Sequence, residues 1–432
     1  MDTVEIKVEE GMLRGEKKGE CMIFRGVPYA EPPVNENRFR GPLHKKPWKG
    51  VREATAFSAK CPQADMSKDA FWGKEFYGDP NYPLPEDSED CLYLNIWAPS
   101  KPGKYPVAFW VHGGAFDHGF GSEMAFDGEQ YAAAGVILVT INYRVGVFGF
   151  YADESLRKEN PNRSTGNYGI QDQIAALQWV FRNIHNFGGD ESRITVMGQS
   201  AGAISVQTLI SSPISSGLIS KAIIQSGGGV DTPIVHTRTM KEAIATGDEI
   251  RKLCKVKSVA ELRKVPAEKL VSILPDLYKD RQGLTFGPTV DDYILKSDLS
   301  SAVKNGTIAN IPVMIGMTGN DITVEEGQSW RKSLIFEGIE KFAQQRIAKS
   351  DKPVYVYSFT KRLAGDEAGA FHSSELWYMF GTLYRSWRPK ERRDYSISYT
   401  MIEDWTDFIK NANPDRLWHP YTDDEKFIRQ FM

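Results

Sequence analysis

Short, nearly continuous apolar runs recur along this chain, at residues 107–111, 136–141, 194–197, 221–225, 311–315 and 354–357. A strand that is apolar on both faces has to be covered on both, and a parallel sheet flanked by helices supplies that cover. The stretches between the runs read as helices. The clearest spans 170–184, where Ile170, Ile174, Leu177, Phe181 and Ile184 recur at three- and four-residue steps. That stripe belongs to core packing. The pattern predicts an α/β fold with an extended, largely parallel central sheet.

Elements of other kinds surround this frame. Residues 4–25 alternate and turn like an antiparallel ribbon, and a proline-punctuated loop follows at 24–33. Residues 61–91 are loop-like, with scattered aromatics (Phe71, Trp72, Phe76, Tyr77, Tyr82), and lead into a strand at 92–97. A charged, helix-rich insertion is expected at about 237–282, with amphipathic helices at 240–254 and 259–274. Two further helices are expected at 333–348 and 395–410. No repeat, low-complexity tract or linker divides the chain, so a single domain over 1–432 is expected.

Hydrophobic content of 41% and charged content of 25% are those of a soluble globular protein. A net charge of -3 without a basic patch argues against a nucleic-acid or membrane-surface binder. No apolar run approaches the length of a transmembrane helix. The N-terminus shows no basic region followed by an apolar core, so the expected location is the cytoplasm. Cys21, Cys61, Cys91 and Cys254 are too few and too scattered for a disulfide framework or a zinc site. No metal and no organic cofactor is expected, and the oligomeric state is left open.

One pentapeptide carries chemistry. Gly198-Gln199-Ser200-Ala201-Gly202 is a G-x-S-x-G, with strand-like alternation before it (Ile194, Val196) and a helix-like apolar run after it. A sharp strand-to-helix turn holds the serine in a strained backbone, and only glycine fits on either side without a clash. The hydroxyl then stands above the sheet edge. The next amide, that of Ala201, opens a helix where it can bind an oxyanion.

A serine hydroxyl needs a base and an oriented acid. Of the seven histidines, His44 and His419 lie in proline-adjacent loops and His185 closes a helix. His112 and His118 flank a glycine pair, and His236 sits in a Pro/Asp-rich segment. His372 lies in a loop just after the last expected strand, where the carboxyl ends of strands converge on a site. The acid should fall between serine and histidine, which leaves Asp291, Asp292, Asp321, Glu325 and Glu326. Asp321 follows the 311–315 strand at its carboxyl end and is favoured. A second loop, Trp110-Val-His-Gly-Gly-Ala-Phe116, ends a buried strand in paired glycines. It supplies further oxyanion donors, the amides of Gly114 and Ala115.

These motifs resemble the type-B carboxylesterase and cholinesterase family of α/β-hydrolases. The matching segments are Phe-Arg-Gly-Val-Pro-Tyr-Ala at 24–30, Ser-Glu-Asp-Cys-Leu-Tyr-Leu-Asn-Ile-Trp at 88–97, Asn-Tyr-Arg-Val-Gly-Val-Phe-Gly-Phe at 142–150 and Gly-Asn-Tyr-Gly-Ile-Gln-Asp-Gln at 166–173. Phe-Gly-Gly-Asp at 187–190, the serine pentapeptide and Asp-Trp-Thr-Asp-Phe-Ile-Lys at 404–410 continue the match nearly to the end. The likeness implies Ser200 as nucleophile, His372 as general base and then acid, and an acidic third member. In the family that member is usually a glutamate; here Asp321 stands in its place, shorter by one methylene.

Departures from the family pattern narrow the expectation. Gln199 replaces the glutamate that cholinesterases carry beside the serine, which argues against a cationic choline substrate. Cys61 and Cys91 match the family's first disulfide loop, and a bridge and a free pair both stay open. The chain looks trimmed and most like compact bacterial carboxylesterases of the para-nitrobenzyl esterase type. A small-molecule ester is the expected substrate, with thioesters or long-chain lipids as the alternative. A non-catalytic adhesion-type relative would lose the serine, which is present here. Phe71, Trp72, Trp330 and Trp377 are read as aromatics that line a gorge over Ser200, with Phe116 and Gln199 also facing substrate.

Overall fold

The computed structural model describes residues 2–432. Its strands are β1 (Asp2–Val8), β2 (Gly11–Lys18), β3 (Cys21–Pro28), β4 (Val51–Glu53), β5 (Tyr93–Pro99), β6 (Tyr105–Val111), β7 (Ile137–Ile141), β8 (Gly189–Gln199), β9 (Lys221–Gln225), β10 (Val313–Thr318), β11 (Val354–Phe359) and β12 (Ile428–Phe431). They form one sheet of twelve strands in the order β1-β2-β3-β5-β7-β6-β8-β9-β10-β11-β12, with β4 on β2. From β7 through β12 every neighbour runs parallel. The β1–β2, β2–β3, β3–β5 and β5–β7 pairings are antiparallel and β4 lies parallel to β2, so the sheet is mixed.

The apolar runs work as two-faced strands. Val107, Phe109 and Val111 point into one core cluster, and Ala108 and Trp110 into the other. Ile137, Val139 and Ile141 oppose Leu138 in the same way, and Val313, Ile315 and Met317 oppose Met314. Each fully buried side chain of this size contributes about 1.5–3 kcal/mol. The two clusters sandwich the sheet.

Two expectations change, and one open alternative closes. The chain ends in β12, which pairs with β11; its Ile-Arg-Gln-Phe sequence is partly exposed and shows no apolar run. The 259–274 stretch is three short helices, Val259–Leu262, Ala267–Ser272 and Leu274–Tyr278, because Pro266 ends the first and caps the second. Cys61 and Cys91 are both buried and carry free thiols. A hydrogen bond donated to Cys61, together with burial, pushes the Cys91 thiol well above the usual range.

No helix of the described residues is long and apolar enough to cross a membrane.

Candidate active site

The carboxyl ends of β6, β8 and β10 meet at one edge of the sheet. Gln199, the last residue of β8, pairs with Gln225 at the end of β9, and Gly198 with Val111 at the end of β6. Ser200 follows at once with φ 59° and ψ -126°, and the buried helix Ala201–Ser211 begins behind it. A non-glycine residue held there costs about 1–3 kcal/mol. The surroundings explain how it is held. A Cβ on Gly202 would lie 2.1 Å from the Val111 carbonyl, and one on Gly198 would lie 2.5 Å from that of Gly202. The Ser200 amide is fixed by the Gln225 carbonyl at 2.8 Å.

His372 and Asp321, far apart in sequence, face each other across this edge. His372 Nδ1 donates to Asp321 Oδ1 at 2.6 Å. Asp321 is anchored in turn by its own loop. Its Oδ2 accepts from the Thr318 amide at 3.1 Å and the Thr318 hydroxyl at 3.0 Å, and Oδ1 accepts from the Ile322 amide at 2.8 Å. Burial alone would raise this carboxyl, but the charge and hydrogen bond of His372 outweigh it and hold Asp321 low. The imidazole shows the reciprocal balance. Burial pushes it down, the Asp321 charge and hydrogen bond push it up, and it ends above the ordinary histidine value.

The other histidines are placed differently. His112 is stacked on Tyr143 at 4.2 Å, and burial drives it down to about 3. His118 is paired through Nδ1 with Asp117. His44, His185, His236 and His419 are exposed. Among the acids, Asp291 is buried but spends Oδ1 on the amides of residues 293–295. Asp292, Glu325 and Glu326 are exposed.

The β6 loop provides amides. Gly114 has φ +98°, Ala115 φ +52° and Phe116 φ +63°, and the carbonyl of Gly114 turns back to accept from Asp117 and His118. Among the described residues the amides of Gly114 and Ala115 donate to no protein acceptor. That of Ala201 opens a helix, where the helix supplies no acceptor. Donors left free at a positive helix end and in a glycine turn suit a developing oxyanion.

Ser200, His372, Gly114 and Ala115 share a cavity of about 170 Å³ with Trp72, Phe76, Phe126, Ile322 and Leu376 on its walls. A larger cleft of about 530 Å³ on another face, lined by residues such as His44 and Gln171, includes none of them.

Trp72 and Gln199 line the cavity as expected from sequence, but four expected wall residues, Phe71, Phe116, Trp330 and Trp377, do not. Trp377 is fully buried in the short helix Leu376–Met379, stacked on Phe76 at 5.3 Å, and so supports the wall from behind. Trp330 packs edge-on against Phe336 at 4.7 Å. Phe116 is buried against Phe150. Phe71 rests edge-on against Trp72 and Phe371. The cavity-lining Phe76 and Tyr77 come from the aromatic loop noted above, while Glu123 and Phe126 carry no sequence signal beyond the glycine-rich segment that holds them.

A serine in a strand–turn–helix elbow at the carboxyl edge of a helix-flanked sheet, with a histidine and an acid following in chain order, defines the α/β-hydrolase class. The sequence profile of the carboxylesterase family matches residues 2–333 and 326–431, and the chain belongs to that family. It is 36% identical over 332 residues to fumonisin B1 esterase of Sphingopyxis macrogoltabida, covering 76% of this chain and 57% of that protein. It is 32% identical over 417 residues to para-nitrobenzyl esterase of Bacillus subtilis (strain 168), covering 92% and 81%. A solved PNB esterase superposes with a TM-score of 0.87 at 28% identity, over 99% of this chain and 95% of that one.

Proposed function

We propose that this protein is a serine carboxylesterase that works through an acyl-enzyme on Ser200. The observation that carries the proposal is His372, bound to Asp321 at 2.6 Å through Nδ1 and lining the same cavity as Ser200. With Nδ1–H committed to the carboxylate, Nε2 keeps its lone pair and can act as a base.

In the first half-reaction Nε2 takes the Ser200 proton as Oγ bonds to the ester carbonyl carbon. The carbonyl oxygen becomes an oxyanion between the amides of Gly114, Ala115 and Ala201. His372 then passes its proton to the alkoxide oxygen as the C–O bond breaks, which frees the alcohol and leaves the acyl group on Oγ. Water repeats the sequence: His372 takes its proton, the tetrahedral adduct collapses, and Ser200 regains its hydrogen as the acid departs. Asp321 stays ionised throughout and steadies the imidazolium. In the structure Nε2 is 3.1 Å from the Gln199 amide, and the first step requires Nε2 to accept from Ser200 Oγ instead.

The apolar walls suit carboxylic esters of small or aromatic acids and alcohols. A fluorophosphonate tests the reading, because it reacts with an activated serine. One adduct mapping to the peptide that contains Ser200 is expected. No adduct, or one on another residue, would refute it.

A further inference from the structure

Glu123 is the one acid among the described residues lining the cavity, and its neighbours there are mostly apolar. It is only 8% exposed, and no ion pair neutralises it among the described residues. Its Oε1 accepts from the Phe120 amide at 3.2 Å, and the Tyr77 hydroxyl is hydrogen-bonded to the carboxyl. Burying a carboxyl with so little compensation costs stability. The backbone does not need this acid to keep its shape, because other side chains clamp the loop. Gln63 binds both the amide and the carbonyl of Gly119, at 2.8 Å and 3.2 Å. Asn142 accepts from the Gly121 amide at 2.7 Å, and Thr140 donates to the Gly121 carbonyl at 2.6 Å. The loop is continuous with the Gly114–Ala115 turn, so Glu123 stands at a fixed place relative to the reacting carbonyl.

Resting on the esterase reading above, we propose that Glu123 sets substrate preference. It receives a hydrogen-bond donor, a hydroxyl or a protonated amine, carried on the apolar arm of the ester in this cavity. A largely apolar wall that holds one fixed carboxylate favours a largely apolar substrate that carries one matching donor. An analogue without the donor sets a methyl group against the carboxyl and gains no hydrogen bond there, and a site of this kind discriminates for that reason. Burial raises Glu123 to about 7, opposed by the Phe120 amide, His118 and Tyr77, so both protonation states are within reach near neutrality. A hydroxyl can pair with either state, while an ammonium group requires the carboxylate. Gln199 leaves no negative charge beside Ser200, which makes Glu123 the acid a donor would meet.

Two matched ester series test this: aryl esters of acids, and acetate esters of alcohols, each ending in a methyl, hydroxyl or ammonium group. In at least one series the wild-type enzyme should favour a donor-terminated member over its methyl isostere by about tenfold in kcat/KM. Glu123→Leu should collapse that ratio to one or below. Glu123→Gln, which keeps an acceptor for Phe120, should retain the hydroxyl preference and lose the ammonium one. A wild-type ratio of one or below in both series overturns the proposal, as does an unchanged ratio in Glu123→Leu. If Glu123→Leu does not fold, an unchanged ammonium ratio in Glu123→Gln overturns it. Failure of the wild-type enzyme to hydrolyse any ester would overturn the esterase reading together with this one; an equal rate on all termini would overturn this one alone.

Discussion

The side-chain amide of Gln199 meets His372 on the ring edge opposite Asp321, with Nε2 of the glutamine 3.1 Å from Nε2 of the imidazole. The amide donates, so the imidazole is held as the tautomer with its proton on Nδ1. That tautomer is the one a general base requires. Gln199 thus acts on the base as well as lining the cavity.

Exchanging this donor for a carboxylate reverses its effect. His372 already sits above the ordinary histidine value, and only its neutral form accepts a proton, so kcat/KM should rise with pH through that raised value. In Gln199→Glu the new charge favours the imidazolium. The acid limb of the kcat/KM profile should move to higher pH, and activity at pH 7 on a neutral ester should fall. A limb that stays in place would remove Gln199 from the account of the base.

Asp321→Asn should lower kcat/KM by about four orders of magnitude, because the amide neither steadies the imidazolium nor fixes the tautomer. The sign of the pH effect is opposite to that of Gln199→Glu. Burial lowers His372 and Asp321 raises it, so losing the charge should move the acid limb to lower pH. Residual activity can be followed at high enzyme concentration to read that shift.

The Gly114 position has little tolerance. It holds φ +98°, and a Cβ there would lie 2.2 Å from the His118 carbonyl. Gly114→Ala should displace the turn and its donor amides. Loss of one such donor lowers kcat by about a hundredfold to a thousandfold. The kcat effect should exceed the KM effect, with an unchanged far-ultraviolet circular dichroism spectrum as the control for folding.

Close to Asp321, Glu375 is fully buried and accepts from Gln225 at 3.3 Å. Burial and the nearby Asp321 charge raise it to about 7. Its unfolded-state value is near that of an ordinary glutamate, so the folded form keeps its proton where the unfolded form has lost it. The stability it contributes is therefore complete below about pH 4.5 and is lost as pH rises to about 7. Between pH 5 and 7 the melting temperature of wild type should fall with pH, and Glu375→Gln should flatten that slope. An equal slope in both proteins would contradict the assignment.

Much of the frame is legible in the sequence for a physical reason. Strands β6 to β11 are buried on both faces, so residues such as Phe109 and Trp110 are apolar in succession and the run stands out. β12 has Arg429 and Gln430 in its centre and shows no such run. Ser200 is legible because its turn demands glycine at 198 and 202. His372 and Asp321 follow from chain order and from their places after strands, but their pairing depends on loops that meet only in three dimensions. The walls are the least legible part. An aromatic residue advertises burial without direction, so Trp72 faces the cavity while Trp377 stands behind Phe76 and Trp330 packs on Phe336.

In the proposed mechanism Ser200 is acylated and then released by His372-assisted water. Stopped-flow mixing of wild type with excess para-nitrophenyl acetate, alongside Ser200→Ala, measures it most directly. An acetylated Ser200 peptide is expected in acid-quenched wild-type samples, with loss of nearly all turnover and of the acetyl adduct in Ser200→Ala. Turnover by Ser200→Ala at the wild-type rate, or acetylation of a different residue, would contradict it.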